Sequence, residues 1–130
     1  AFACSVDEKS GKKQQVLGTE WRQGVPLEVL SLAYIPVMRK IEALGGKPVL
    51  RMAKAKVGPC ITDNGNFIVD ADFGPIPAPA TLNTKLTMIP GVVDTGLFVS
   101  MATVAYFGKA DGSVEKVELP PRAVGSPFAE

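Results

Sequence analysis

Two stretches of helical periodicity, each lying between strand-like runs, constrain the fold of this chain more than any other feature. In the first, apolar residues recur at the spacing of one helical face: Tyr34, Val37, Met38, Ile41 and Leu44. Pro36 is tolerated only in a first turn, and Gly45 and Gly46 supply a left-handed stop. The pattern predicts a helix that begins between Ala33 and Ile35 and ends at these glycines.

The second helical stretch follows a proline-rich loop that begins at Pro75. Leu82, Leu86 and Ile89 stand at positions i, i+4 and i+7, which is the spacing of an amphipathic helix. A helix of about ten residues is expected here, ending before Pro90.

The runs around these helices have the composition and alternation of strands: PLEVLSL (26–32), KPVLRMA (47–53), NFIVDADF (66–73) and VVDTGLFVSM (92–101). The order over 26–98 is strand, helix, strand, strand, helix, strand, the βαββαβ arrangement of a ferredoxin-like split unit. The expected fold class is therefore α+β, with two helices over one face of a four-stranded antiparallel sheet.

Three further strand-like runs lie outside this unit and are expected to belong to a second sheet: FACSV (2–6), TVAYFG (103–108) and SVEKVEL (113–119). The last two flank a glycine-containing loop and predict a hairpin. The proline-interrupted stretch 120–130 is expected to be a flexible tail.

The segment TDNGNFIVDADFG (62–74) is rich in oxygen-bearing side chains and has two interpretations, a cation-binding loop or a tight turn followed by a strand: Asp63, Asn64, Asn66, Asp70 and Asp72. These residues do not match the spacing of a calcium loop. Asn-Gly between strand-like runs is a strong hairpin signal. The alternation also puts Asp70 and Asp72 on the face away from the core. The turn is favoured, and no metal is expected.

Charge gives no reason to expect nucleic acid or a membrane as partner. Lys and Arg number 14 against 13 for Asp and Glu, and no run of like charges occurs. No apolar run reaches the roughly 20 residues of a membrane helix. Lys9, Lys12 and Lys13 form the densest positive cluster, without interleaved aromatic residues. The cluster is either a solvated loop or a site for an anionic small molecule.

The chain contains no histidine, and its cysteines, Cys4 and Cys60, have no CxxC spacing. Zinc sites of the usual composition and histidine-based catalytic triads are therefore excluded. Unpaired thiols without a signal-peptide pattern favour a reducing, cytoplasmic location. No phosphate loop, dinucleotide fingerprint or nucleophile elbow is present, and no cofactor is expected.

Three segments resemble the C-terminal half of type A ribose-5-phosphate isomerases of a eukaryotic, fungus-like kind: WRQGVPLEVL (21–30), GPCITDNGNFIVDADFG (58–74) and IPGVVDTGLFVSMATVAYFGKADGSV (89–114). The match runs in order through nearly all of 2–118. The resemblance implies metal-free interconversion of ribose 5-phosphate and ribulose 5-phosphate, a step of the non-oxidative pentose phosphate pathway, through an enediol.

The resemblance also implies a division into parts. Residues 1–24 correspond to the end of an α/β Rossmann-like catalytic domain, 25–98 to a ferredoxin-like lid, and 99–119 to strands that return to the catalytic sheet. Residues 120–130 remain the tail. The full-length enzyme is expected to be a homo-oligomer that acts on a sugar phosphate.

The family keeps its phosphate loop, its sugar-contacting Asp loop and a Lys-Gly-Gly-Gly segment followed by the basic Glu in the N-terminal half, and none of these occurs in this sequence. The chain is therefore expected to be a fragment that is inactive alone, with no catalytic residue. One substrate-binding lysine closely follows an aspartate in the family. Asp7 matches that aspartate, but the family spacing falls on Ser10, which leaves Lys9 as the nearest candidate and Lys12 as the alternative.

Glu28 is the most attractive replacement base, but a structural role on its strand is favoured, as it is for Asp94, Asp70 and Asp72. Two alternatives to the isolated fragment remain open. The chain is a freestanding ferredoxin-like binding or oligomerisation module without catalysis, or a second chain supplies the N-terminal half.

Overall fold

The computed structural model of the chain describes residues 16–19, 23–99, 101 and 103–118. Along the chain these form β1 (Val25–Val29), a 3-10 turn (Ser31–Ala33), α1 (Tyr34–Ala43), β2 (Lys47–Leu50), β3 (Phe67–Asp72), α2 (Pro79–Thr87), β4 (Val92–Thr95), β5 (Val104–Gly108) and β6 (Val114–Glu118). The strand expected at 2–6 and the tail expected at 120–130 lie outside the described residues.

The first four strands form one antiparallel sheet in the order β2-β3-β1-β4. In this sheet β1 is central, and Leu27 lies opposite Val69 of β3 and Thr95 of β4. The order of strands and helices along the chain is the one that the sequence predicts.

A single apolar core lies between the sheet and the two helices. Alternate residues of β1 (Val25, Leu27 and Val29) are buried there with Val69 and Ala71 of β3, Val37 and Ile41 of α1, and Leu86 of α2. Because both helices contribute to the same cluster, they lie on the same face of the sheet. Burial of each large apolar side chain stabilises the fold by about 1.5–3 kcal/mol.

The ends of α1 follow from its glycines and its proline. The helix begins at Tyr34, inside the predicted interval, with Pro36 in its first turn. It ends where Gly45 adopts a φ of +88° and the N–H of Gly46 bonds to the carbonyl of Ile41 at 3.0 Å. The helix α2 likewise begins with a proline, Pro79, and Ile89 lies buried just beyond its end.

Two strands are shorter than the sequence suggests. The strand β1 ends at Val29 because the N–H of Leu30 bonds to the carbonyl of Gly91 (2.9 Å) and the chain then tightens into the 3-10 turn. The strand β4 ends at Thr95 because its partner β1 begins at Val25, and the last bond of this pair joins the N–H of Gly96 to the carbonyl of Pro26.

The hairpin predicted near the end of the chain is present. Strands β5 and β6 form a separate two-stranded sheet, with Tyr106 opposite Lys116. The connecting loop contains Gly112, whose φ is +82° and whose N–H bonds to the carbonyl of Lys109. Tyr106 and Val114 are exposed on this hairpin.

Candidate functional site

The segment 62–66 is a tight hairpin loop that leads into β3. The N–H of Thr62 bonds to the carbonyl of Asn66, and the N–H of Gly65 bonds to the carbonyl of Thr62, both at 2.9 Å. Gly65 has a φ of +76°, a backbone conformation that glycine adopts without strain. This is the pattern of a three-residue hairpin loop formed by Asp63, Asn64 and Gly65.

One carboxylate oxygen holds this loop against the sheet. Glu28, on β1, accepts hydrogen bonds at its Oε1 atom from the Thr62 hydroxyl (2.7 Å), the Asn66 amide (2.9 Å) and the Asn64 amide (3.5 Å). The Thr62 hydroxyl in turn accepts the backbone N–H of Asn66 at 3.1 Å. We call these four residues the Glu28 cluster. Three polar side chains of one loop thus converge on a single strand residue.

The cluster favours the ionised form of Glu28. The hydrogen bond from Asn66, followed by that from Thr62, lowers the pKa of Glu28 below its ordinary value of 4.5. A general base for proton abstraction near neutral pH works best with a pKa raised towards that pH. The geometry and the direction of the shift therefore fit a structural acceptor better than a replacement base.

A second charged contact lies on β2 and β3. Arg51 Nε donates to Asp70 Oδ2 at 2.7 Å while its terminal nitrogen donates to Oδ1, so that the pair is bidentate. The hydrogen bond with Asp70 raises the pKa of Arg51. Val69 and Ala71, on either side of Asp70 in the sequence, are buried, as the alternation predicts.

The other carboxylates that the sequence singled out bond to neighbouring backbone. Asp72 accepts the N–H of Gly74, and Asp94 accepts the N–H of Thr95, each at 2.7 Å. Asp94 lies opposite Glu28 in the β1–β4 register. Across the part of the chain that the structure describes, no three acidic, cysteine or histidine side chains are grouped as metal ligands.

Lys9 and Lys12, the candidates for substrate binding, lie outside the described residues, as do Asp7, Ser10 and Lys13. Sequence reasoning missed Arg51 and also the hydrogen bond between the hydroxyl of buried Thr95 and the Asn83 side chain, which ties β4 to α2. Pairing β2 with β3 residue by residue could have placed Arg51 near Asp70. None of the helices in the described ranges has both the length and the apolar character needed to cross a membrane.

Comparison with known proteins gives a consistent set of relatives. The family model for ribose 5-phosphate isomerase A (phosphoriboisomerase A) matches residues 1–112. The ribose-5-phosphate isomerase of Sus scrofa is 51% identical over 110 residues, which cover 84% of this chain and 36% of that protein. The enzyme of Dictyostelium discoideum is 50% identical over 105 residues, covering 78% of this chain and 45% of that protein.

Solved structures agree with the sequence matches. Ribose 5-phosphate isomerase A from Methanocaldococcus jannaschii superposes with a TM-score of 0.73 at 34% identity, covering 85% of this chain and 47% of that one. A D-ribose-5-phosphate isomerase solved with phospho-erythronic acid gives 0.70 at 39% identity, covering 75% and 42%. The chain thus spans less than half the length of these relatives.

Proposed function

The chain belongs to the ribose 5-phosphate isomerase A family, and from this premise we propose that it supplies the C-terminal part of an enzyme that interconverts ribose 5-phosphate and ribulose 5-phosphate. The observation that carries the proposal is the match of the family model to residues 1–112, together with relatives about half identical in sequence. A relative solved with phospho-erythronic acid supports a phosphorylated substrate.

The proposed reaction moves a proton between adjacent sugar carbons through an enediol and uses no metal. It needs a positioned carboxylate base, donors for the developing oxyanion and a cradle for the phosphate. Glu28 is engaged by the turn and does not serve as that base in our proposal. The family's Lys-Gly-Gly-Gly segment and following Glu are not in these 130 residues. Turnover therefore requires residues supplied from elsewhere.

Within the enzyme, we assign residues 25–98 to a ferredoxin-like lid. The order β2-β3-β1-β4 and the placement of both helices on one face support this assignment. Residues 1–24 and 99–119 belong to the Rossmann-like catalytic domain in this proposal, and 120–130 form a flexible tail. The exposed Tyr106 and Val114 on the β5–β6 hairpin fit a segment that packs against further chain.

Lys9 is the proposed substrate-binding lysine, with Lys12 as the alternative, because both follow Asp7 closely. An ammonium group at this position would bind the anionic substrate. The working enzyme is proposed to be a cytoplasmic homo-oligomer.

The test is isomerase activity in mixtures. The chain is assayed on ribose 5-phosphate alone and together with a separately expressed N-terminal part of the Dictyostelium discoideum enzyme. Activity is expected only in the mixture, and it should fall in a Lys9→Ala mixture. Lys12→Ala is the matched variant, and a larger loss there would transfer the role to Lys12. Leu27→Asp, which places a charge in the core, is the control that should restore nothing.

The competing proposal is a freestanding binding or oligomerisation module. It is favoured by the closed core of the 25–98 unit, in which Leu27, Ile41 and Leu86 are fully buried without any further chain. Soluble, well-folded chain that stays inactive in every mixture would favour the module. Activity of the chain alone would contradict both proposals.

A further inference from the structure

We propose that Asn64 is a site of spontaneous deamidation and that the Glu28 cluster controls its rate. The chain has three asparagines, and only Asn64 precedes a glycine. Asn66 precedes Phe67 and is buried, whereas Asn83 precedes Thr84 within α2. Asn64 and Gly65 are both exposed at the tip of the hairpin.

The chemistry needs only water. The backbone nitrogen of Gly65 attacks the side-chain carbonyl carbon of Asn64, the Gly65 N–H proton is lost to solvent, and the side-chain amide leaves as ammonia. Water then opens the resulting cyclic imide at either carbonyl, which gives aspartate or isoaspartate. No electrons are transferred. Gly65 presents no Cβ to hinder the attack, and an added Cβ there would meet no atom within 4 Å.

The folded turn opposes this attack. The attacking N–H of Gly65 is engaged with the carbonyl of Thr62 at 2.9 Å, and the Asn64 amide points to Glu28 at 3.5 Å. Glu28 also holds both ends of the loop through Thr62 and Asn66. Reaction therefore requires local opening of the turn, an event whose frequency depends on the hydrogen bonds that are broken.

The product changes the cluster that controls its formation. Deamidation replaces the Asn64 amide donor with a carboxylate, beside Asp63 in the sequence and facing Glu28. Like charges at this separation repel, and Glu28 loses one of its donors. The isoaspartate form also lengthens the main chain by one carbon, which disturbs the pairing of Thr62 with Asn66. The modified turn is thus held less tightly than the original one.

The test compares folded variants by peptide mass spectrometry after incubation in mildly alkaline buffer. Glu28→Ala should raise the rate of Asn64 conversion about fivefold, the scale of one lost hydrogen bond to a charged group at a partly exposed site. Asn66 and Asn83 are internal references in every sample and should convert more slowly. A peptide of residues 61–67 gives the rate without the fold and should be faster than the intact chain.

Val37→Ala separates local opening from general destabilisation. Val37 is buried in α1 and takes part in none of the hydrogen bonds of the turn. Its Asn64 rate should stay close to that of the original chain while its free energy of unfolding falls. Equal acceleration in Val37→Ala and Glu28→Ala would overturn control by the cluster. Conversion of Asn64 no faster than that of Asn66 or Asn83, or as fast in the folded chain as in the peptide, would overturn the proposal.

Discussion

At the scale of single residues, the long-range polar contacts are what the sequence could not predict. Alternation along β1 predicts that Glu28 faces away from the core, but the residues that meet it are 34 to 38 positions further along. The contact exists because β1 pairs with β3 and Glu28 lies opposite Ile68, close to where the turn ends at Asn66. Residue type and spacing do not specify such a pairing register.

Glu28→Gln tests the electrostatic role of the cluster. Because the folded-state pKa of Glu28 lies below 4.5, its ionisation stabilises the fold above that pH, and the stabilisation is lost as the pH falls through the folded-state value. Urea unfolding should show a less stable variant at neutral pH and a narrowing difference below pH 4.5. Glu42→Gln, on the exposed side of α1, is the matched control. A pH-independent difference would contradict this role.

Arg51 and Asp70 should couple weakly. Arg51 is 39% exposed, so solvent screens the pair in spite of its bidentate geometry. A double-mutant cycle with Arg51→Gln and Asp70→Asn should give a coupling of about 0.5–1 kcal/mol at low salt. The coupling should shrink at high salt. A value of zero at low salt would show that the contact contributes nothing to stability.

At the scale of elements, the helices were the most predictable part. Their periodicity reports the buried face directly, and Val37, Ile41 and Leu86 are fully buried as expected. The strand ends were less predictable, because a strand lasts only as long as its partner. The apolar run from Val92 continues to Met101, yet β4 stops at Thr95 where β1 no longer extends beside it.

The packing of β4 against α1 depends on Gly91. Gly91 has a φ of +99°, and an added Cβ would lie 2.6 Å from the Cβ of Ala33. Gly45 has a similar φ of +88° but open space around it. Gly45→Ala should therefore lower the free energy of unfolding by about 1–2 kcal/mol from backbone strain alone.

Gly91→Ala should lower it by about 1–3 kcal/mol more, because overpacking adds to the strain. Thermal or urea unfolding of the two variants measures the difference. Equal losses would show that Ala33 moves aside without cost.

At the scale of the whole molecule, the residues and the family resemblance carried different conclusions. Composition and motifs excluded several classes of site but pointed to no reaction. Function entered only through the resemblance, because the groups that the family uses for proton transfer are not among these residues. The family match and the coverage of less than half of each compared relative agree with that division.

The most direct measurement is ribose 5-phosphate turnover by a covalent chimera. In it, this chain replaces the matching part of the Dictyostelium discoideum enzyme, so that assembly no longer depends on concentration. We expect the chimera to isomerise ribose 5-phosphate while the isolated 130-residue chain does not. A folded chimera without activity, beside an active parent enzyme, would contradict the assignment of this chain as the C-terminal part of an isomerase.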